Sequence, residues 1–478
     1  MSGGLDDTIC AVATPPGEGG VGILRLSGAD AIEIAGRLAN LRCRKSLASV
    51  RSHTLYLADL AVRAGHSGAA SAAQAVHPRA QTFDEALVVV MRGPRSFTGE
   101  DVVEFHCHGG PLILHTLCEA IVAAGGRLAE PGEFTKRAFL NGRMDLAQAE
   151  AVLDTIRAKT AGSLRIAEAQ RRGLLSHEIE GIRNELIGAL AHVEAGLDFA
   201  EEDIAFVRRD ELIAMLERAN QRVSALLETA QEGRIWREGA AVAIVGRPNV
   251  GKSSLMNALA RTDRAIVTAV PGTTRDVLDE WLHINGMPVR LLDTAGIRDT
   301  EDPIEQEGIR RTGRAIEEAD LVIALIDQSA ALEEADRTLV TRLCEKKHIV
   351  VLNKSDLPSG LQPDLWFGAY FASGSPLRIS AATGAGLDEL RALIRAKLAS
   401  GGLEAGDGLC VTHLRHSVSL QGAREALLQA RAALQNDLTG EFVAADLRRA
   451  ADALGEITGA ISTDDILDRI FSEFCIGK

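Results

Sequence analysis

A lysine and a serine close the run Gly246-Arg247-Pro248-Asn249-Val250-Gly251-Lys252-Ser253. Residues of these types at this spacing suit phosphate binding, because backbone N–H groups left free by the glycines and by a helix start can cradle phosphate oxygens. Lys252 can reach the β and γ phosphates and the Ser253 hydroxyl can ligate Mg²⁺. The apolar run Ala241 to Val245 reads as a buried strand entering this loop, and a helix follows from about Ser254. A tight strand-to-helix turn with an accidental lysine is the plainer reading, and the strand, loop, helix context argues against it.

Further short motifs follow in the order a GTPase requires. In the loop Thr268-Ala269-Val270-Pro271-Gly272-Thr273-Thr274, Thr273 and Thr274 supply a hydroxyl for Mg²⁺. Asp293-Thr294-Ala295-Gly296 comes directly after the strand pattern Val289 to Leu292, which puts Asp293 near the metal and the Gly296 N–H near the γ-phosphate. Asn353-Lys354-Ser355-Asp356 follows another strand pattern, Ile349 to Leu352. There Asp356 can accept from both the guanine N1–H and the exocyclic amine, a pair of donors adenine does not offer, so the expected nucleotide is GTP. Ser380-Ala381-Ala382 after Ile379 offers backbone donors to the guanine O6, and with Val250, Gly251 and Ser254 at the phosphates it completes the expected GTP site.

Two departures from a plain switch GTPase bear on mechanism. Ile297 stands where small GTPases such as Ras carry the glutamine that orients the attacking water, and an isoleucine cannot do so. The nearest polar supply is Asp299, Glu301, Asp302, Glu305 and Glu307; spacing alone does not choose among them, and a solvated acidic loop is the alternative. Asn249 is the other departure. Its side-chain carbonyl, with backbone carbonyls from the long loop Arg264 to Thr274, could hold a monovalent cation against the phosphates. A local hydrogen bond that merely stabilises the loop fits Asn249 equally well.

These residues need strands and loops to carry them. The chain has 478 residues, enough for two to four domains. Thr8 to Ala13, Val21 to Leu26, Leu55 to Ala58, Leu87 to Met91 and Val102 to Cys107 read as short strands, with helices at Asp30 to Leu38 and Pro111 to Val122. Gly65 to Ala80, rich in Ala, Ser, Gly and His, reads as a loose insertion. From Leu146 the apolar period becomes helical and stays so to about Trp236; strand-loop-helix alternation then runs from Ala240 to about Leu398, and Leu420 to Leu434 and Asp446 to Leu454 are helical again. The predicted architecture is a multidomain α/β plus α chain in which a Ras-like P-loop domain interrupts a helical one.

Lys plus Arg number 52 and Asp plus Glu 66, giving a net charge of −14, so overall charge does not make this a nucleic-acid coat. Any RNA must be held by a restricted surface, and an aromatic content of 4% disfavours base-stacking platforms. No run of eighteen or more apolar residues occurs and no basic, apolar leader opens the chain, so neither a membrane span nor a secretory signal is expected. Seven scattered cysteines without a Cys-x-x-Cys pair suit a reducing, cytoplasmic setting.

Beyond the GTPase motifs stand Ala13-Thr-Pro-Pro-Gly-Glu-Gly-Gly-Val-Gly-Ile-Leu-Arg25, Ser96-Phe-Thr-Gly-Glu-Asp101, His108-Gly-Gly-Pro111, Pro131-Gly-Glu-Phe134, Arg137-Ala-Phe-Leu-Asn141 and the terminal Phe474-Cys-Ile-Gly-Lys478. With these blocks the chain resembles, over essentially its full length, the MnmE (TrmE) family of tRNA-modifying GTPases. The resemblance implies residues 1–141 as a tetrahydrofolate-binding-like and dimerisation domain, 142–236 as the first part of a helical domain, 237–400 as an inserted G domain, and 401–478 as the second helical part. It implies Asn249, Thr268, Val270 and Thr273 as K⁺ ligands, Ser253 and Thr274 as Mg²⁺ ligands, and Glu305 as the carboxylate that orients the water. It also implies a folate site at Arg25, Glu104 and Arg143 with Lys478 reaching it, for 5-formyltetrahydrofolate or methylenetetrahydrofolate. Arg143 departs from the Lys the family can carry, which keeps the charge and changes the geometry. Surface charge on an α/β domain is the plainer reading of those four residues.

The implied function is a K⁺-dependent GTPase, a homodimer that works with an MnmG (GidA)-like FAD and NADH protein as a heterotetramer. Its product would be a 5-carboxymethylaminomethyl or 5-aminomethyl group at the wobble uridine of tRNA. A ribosome-assembly or regulatory GTPase is the alternative. Cys475 could act as a nucleophile if its thiol were activated, or be an ordinary unpaired cysteine. His106-Cys107-His108 with His115 does not make a zinc site, because residues 106 and 108 of a strand share one face and 107 the other.

Overall fold

In the strand Gly19–Ser27, Leu24 and Leu26 are fully buried and Arg25 between them points to the opposite face of the sheet. The computed structural model describes residues 7–62, 81–198, 208–263, 280–292, 313–343, 345–361, 376–399 and 409–478. The expected insertion Gly65 to Ala80 lies outside them. The chain divides into two units, Met1–Leu153 with Gly459–Lys478, and Asp154–Thr458.

In the first unit, β1 (Ile9–Val12), β2 (Gly19–Ser27), β3 (Ala39–Leu41), β4 (Leu55–Val62), β5 (Gln81–Met91), β6 (Val102–Gly109) and β7 (Arg127–Leu128) form a seven-stranded sheet in the order β3-β4-β5-β6-β2-β1-β7. Among the described residues of this unit, only β1 and β7 pair in parallel. Cys10, Leu24, Leu26, Val88, Val103 and Phe105 turn one face towards the helices Ala31–Leu38 and Pro111–Ala123, which bury Ile34, Leu38, Leu117 and Ile121 against it. Proline at the start of the second helix costs nothing, since that N–H has no intrahelical acceptor anyway. The other face carries Ile9 and Ala11, covered by Phe134 from the helix Glu133–Leu140.

The last residues belong to this unit. Leu467 and Phe471 of the helix Asp464–Ser472, with Phe474, pack on Leu146, Ala149 and Leu153. A Cβ on Gly132 would strike the Phe471 carbonyl, so a glycine allows the close approach, and its φ of 68° opens the helix Glu133–Leu140.

The second unit contains the helices Ala161–Arg171, Leu174–Asp198, Arg209–Glu228, Ala230–Glu238, Leu414–Gln435 and Gly440–Thr458. Between the fourth and fifth of these lies a six-stranded sheet, β8 (Ala240–Val245), β9 (Glu280–Ile284), β10 (Met287–Leu292), β11 (Leu321–Asp327), β12 (His348–Asn353) and β13 (Leu377–Arg378), ordered β13-β12-β11-β8-β10-β9. All pairs but the β9–β10 hairpin are parallel. β8 is buried along its whole length, as a parallel strand covered on both faces must be. Leu255 and Leu259 of the helix Lys252–Asp263 cover one side with Leu390 and Ile394; Ile316, Val340 and Leu343 cover the other. The neighbours of β8 are β10 and β11, so the chain winds away in both directions from it, and the crevice beyond its carboxyl end is where α/β sheets bind ligands.

The chain enters and leaves this α/β part through one clasp. Val411 N–H donates to Thr229 Oγ1 (3.0 Å), Gln170 Nε2 donates to the Cys410 carbonyl (2.8 Å), and Thr412 Oγ1 donates to Gln170 Oε1 (3.1 Å). A P-loop α/β domain thus interrupts a helical one, as the periodicity predicts.

Candidate functional site

The loop after β8 depends on backbone conformations that only certain residues adopt readily. Asn249 has φ 64°, in the left-handed region that asparagine tolerates, and Gly251 has φ 101°. A Cβ on Gly246 would strike the Leu325 carbonyl, and one on Gly251 would strike Asn353 Nδ2. Lys252 Nζ donates to the Gly246 carbonyl (2.9 Å) and the Arg247 carbonyl (2.8 Å), and burial lowers the pKa of its ammonium. Ser253 and Ser254 are exposed on the first turn of the helix Lys252–Asp263.

Asn353, almost wholly buried, unites the expected nucleotide motifs. Its Nδ2 donates to the Val250 carbonyl (2.8 Å) and its Oδ1 accepts from Ala381 N–H (3.0 Å). The P-loop, the Asn353-Lys354-Ser355-Asp356 turn and the Ser380-Ala381-Ala382 turn are therefore fixed to one side chain. Ser380, fully buried, accepts the Thr383 N–H at its Oγ (3.1 Å), while Asp356 is exposed. Lys354, at φ 64°, reaches Asp327 Oδ2 (2.5 Å). Burial pushes the Asp327 carboxyl up, but Lys354 and Ser329 outweigh it and hold it below the usual carboxylate range.

Sequence reasoning missed Asp327, although its place at the end of the apolar strand β11 was a usable signal. Missed as well was Arg247, whose Nε donates to Asp336 Oδ1 (2.9 Å) and whose Nη1 meets Glu333. Asp336 is fully buried and also caps the helix Glu334–Arg342 by accepting Glu333 N–H (3.1 Å). Thr268 to Thr274, Asp293 to Gly296 and Glu305 lie outside the described residues.

The donor types present fit the implied cations. Ser253 offers the hydroxyl oxygen that Mg²⁺ takes beside phosphates, and Asn249 offers a neutral amide oxygen of the kind that suits K⁺.

A second cluster stands on the sheet face opposite the two helices of the first unit. Arg25 on β2 and Glu104 on β6 are direct cross-strand partners, and Arg25 Nε donates to Glu104 Oε1 (2.7 Å). The guanidinium carbon sits 5.6 Å from the Phe97 ring centroid and 5.7 Å from that of Phe134, within cation–π range. Glu104 Oε2 lies 3.2 Å from His106 Nε2. Burial raises the Glu104 carboxyl, yet Arg25 and His106 prevail and leave its pKa lowered.

Lys478 joins the pair from the far end of the chain. Arg25 Nη1 meets the Gly477 carbonyl at 3.5 Å, and Gly477, at φ 100°, comes so close to the Val12 carbonyl that a Cβ would collide with it. Half-burial and the Arg25 charge lower the Lys478 pKa, against the opposing pull of Glu104 and Cys475. Cys475 is an exposed free thiol whose carbonyl accepts Lys478 N–H (3.3 Å). Arg143 enters from another element: it is exposed, with its side-chain stem against Gly99. The structure thus gathers Arg25, Glu104 and Lys478 directly and sets Arg143 beside the loop that carries Phe97.

A buried ion network holds that loop. Arg137, 1% exposed, donates to Glu100 Oε1 (3.1 Å) and to Glu133 Oε1 (3.1 Å); Glu133 also accepts from Arg127 (2.6 Å), and Glu100 accepts from Ser27 Oγ (2.6 Å). Breaking such a pair by removing one partner costs about 3–5 kcal/mol, because a charge is left buried alone. The network fixes the helix of Phe134 and the loop of Phe97, the two rings beneath Arg25. His106 and His108 are occupied otherwise: His108 Nδ1 lies 2.6 Å from Asp84 Oδ1, which raises the pKa of that imidazole, while Cys107 is buried on the helical face.

Comparison with known proteins gives consistent findings. The MnmE helical domain family model matches residues 146–475, and that of the GTP-binding protein TrmE N-terminus matches residues 8–143. The chain is 45% identical to the tRNA modification GTPase MnmE of Geobacter metallireducens, over 99% of this chain and 100% of that protein. It is 46% identical to the tRNA modification GTPase MnmE of Symbiobacterium thermophilum, again over 99% of this chain and 100% of the relative. Among solved structures it is similar to the G domain of the T. maritima FeoB iron transporter, with 28% identity, 33% of this chain and 98% of that chain covered, and a TM-score of 0.25.

Proposed function

The chain belongs to the MnmE (TrmE) family of tRNA modification GTPases and is a GTP hydrolase that uses Mg²⁺, and from this we propose that it modifies carbon 5 of the wobble uridine of tRNA with a one-carbon unit drawn from tetrahydrofolate. It works as a homodimer with an MnmG (GidA)-like FAD and NADH protein, in a cytoplasmic heterotetramer. The product is a 5-carboxymethylaminomethyl or 5-aminomethyl group. Among the described residues no helix is long and apolar enough to cross a membrane.

The observation that carries this reading over a ribosome-assembly or regulatory GTPase is the cluster of Arg25, Glu104 and Lys478. A GTPase without small-molecule chemistry has no use for a terminal lysine brought half-buried beside an ion pair on a sheet face. In the proposed folate site Glu104 accepts from the amino edge of the pterin, while Arg25, Arg143 and Lys478 meet carboxylate or carbonyl oxygens. Cys475, in the same terminal turn, is the candidate nucleophile of the first unit.

In the GTP site, Lys252 moves from the P-loop carbonyls to phosphate oxygens, Ser253 and Thr274 hold Mg²⁺, and Asp356 and Ala381 read the guanine. Asn249, Thr268, Val270 and Thr273 hold K⁺, whose charge serves where an arginine finger does in other GTPases. Glu305 orients the water. Hydrolysis opens and closes the G domains, and that cycle couples to the modification site.

Mass spectrometry of tRNA from cells lacking the protein tests the whole reading. Loss of the C5 substituent at the wobble uridine is expected, and an unchanged wobble uridine would favour the assembly-factor alternative.

A further inference from the structure

We propose that the cavity lined by Trp236, Trp281 and Lys159, in the second unit, is a binding site for a planar aromatic anion of the mononucleotide class, separate from the GTP site. The cavity has a volume of about 380 Å³, within the range of small-ligand sites. It lies by Gly239, at the amino end of β8, whereas the P-loop follows the carboxyl end of that strand; six residues of strand put about 20 Å between them.

The walls supply what such a ligand needs. Each of the two indoles is seated on a glycine: Trp236 packs on Gly162 and Trp281 on Gly239, so closely that a Cβ at either glycine would displace the ring. Gly162 stands in the first turn of the helix Ala161–Arg171, where glycine is a poor helix former, so its value there is the room it leaves for the ring. The Trp236 indole N–H is buried and has no acceptor among the described residues, and a buried donor without a partner calls for one.

The charge is cationic where it is not already committed. Asp154 is held by Arg237 Nε (3.0 Å) and His413 Nε2 (2.8 Å). Burial raises its carboxyl, but His413 and Arg237 overcome that and keep it ionised. Arg237 also meets Glu238 Oε1 (2.9 Å). Lys159, in contrast, lies over Trp281 at 5.7 Å from the ring centroid, and among the described residues no carboxylate pairs with it. Arg157 lines the same wall but is already engaged, so the open charge is that of Lys159. The part-exposed Trp281 ring, the ammonium held over it and the unmet Trp236 N–H donor select a flat ring carrying a negative group. An apolar ligand would not engage the Lys159 ammonium, and a simple inorganic anion would not engage the Trp281 ring.

The test is equilibrium dialysis of radiolabelled 5′-AMP against the full chain with saturating GDP, so that the guanine site is filled. One saturable equivalent per chain is expected, with a Kd of about 1 mM or tighter, accompanied by quenching of tryptophan fluorescence. Lys159→Glu and Trp281→Ala should each weaken binding about tenfold or more, as loss of a cation or a stacking face would. Lys159 is exposed, so its variant keeps the test decisive should the Trp281 variant fold poorly; circular dichroism and Tm verify the fold of both. No saturable binding, or binding that Lys159→Glu leaves unchanged, overturns the proposal.

Discussion

Arg25 and Glu104 face each other directly across the β2–β6 ladder, with Nε 2.7 Å from Oε1, and the peptide carbonyl of Gly477 closes on the same guanidinium. A cross-strand ion pair on a sheet face would ordinarily be worth little. Here the far end of the chain and two aromatic rings shield it, which turns the pair into a preformed recognition element.

Removing its cation should therefore be felt in binding. Arg25→Ala is expected to weaken 5-formyltetrahydrofolate about 10- to 100-fold by calorimetric titration, the loss of one charge-assisted hydrogen bond. The pH dependence has a definite sign. Glu104 has its folded pKa below the ordinary 4.5, so the stability it contributes is present above that value and is lost as pH falls through the lower folded pKa. Glu104→Gln should remove that part of the acid loss of Tm, and a variant with the acid profile of the native chain would contradict the pairing.

Gly477 offers a test of the terminal turn without touching a charged group. At φ 100° and in contact with the Val12 carbonyl, it has no room for a side chain. Gly477→Ala should detach the last turn, withdraw Lys478 from Arg25 and weaken 5-formyltetrahydrofolate about tenfold or more, while GTP hydrolysis is unchanged. Retained folate affinity would show that the terminal turn plays no part in that site.

How far these sites could be read from sequence differs by element. The P-loop was legible because its chemistry is local: strand, glycine, lysine and helix follow one another within a few residues, and β8 and the helix Lys252–Asp263 fall where the pattern put them. The helix Glu133–Leu140 was not. It is short, begins from a left-handed Gly132, and buries two apolar residues, Phe134 and Ala138, beside the Arg137 ion pairs to Glu100 and Glu133, too few for a periodicity to announce it. Likewise, nothing local in Cys475 to Lys478 indicates that these residues meet β1 and β2; that contact spans almost the whole chain and became an expectation only through family resemblance. Gly459–Lys478 grouping with the first unit is the same non-local effect.

The proposed cation role of Asn249 can be separated from a loop-stabilising one. Asn249 has φ 64°, so Asn249→Gly keeps the backbone conformation available while deleting the amide oxygen. Hydrolysis in KCl should exceed that in NaCl at matched ionic strength by about tenfold or more, and the glycine variant should lose most of that difference. Equal native rates in the two salts would remove the cation role.

Arg247 and Asp336 make the final prediction. The Arg247 side chain is clamped to the buried Asp336 carboxylate, while its own carbonyl accepts the Lys252 ammonium at 2.8 Å. Asp336 thus acts on Lys252 through the position of Arg247, and it separately caps the helix Glu334–Arg342. Two variants divide these roles. Asp336→Asn keeps an oxygen for the cap but loses the charge, so KM for GTP should rise several-fold with a small change in Tm. Asp336→Ala loses both and should also cost about 1–3 kcal/mol of stability, read as a lower midpoint in urea. A wholly structural residue would give the opposite pattern, with KM following stability in both variants, so the asparagine variant decides whether Asp336 positions the P-loop.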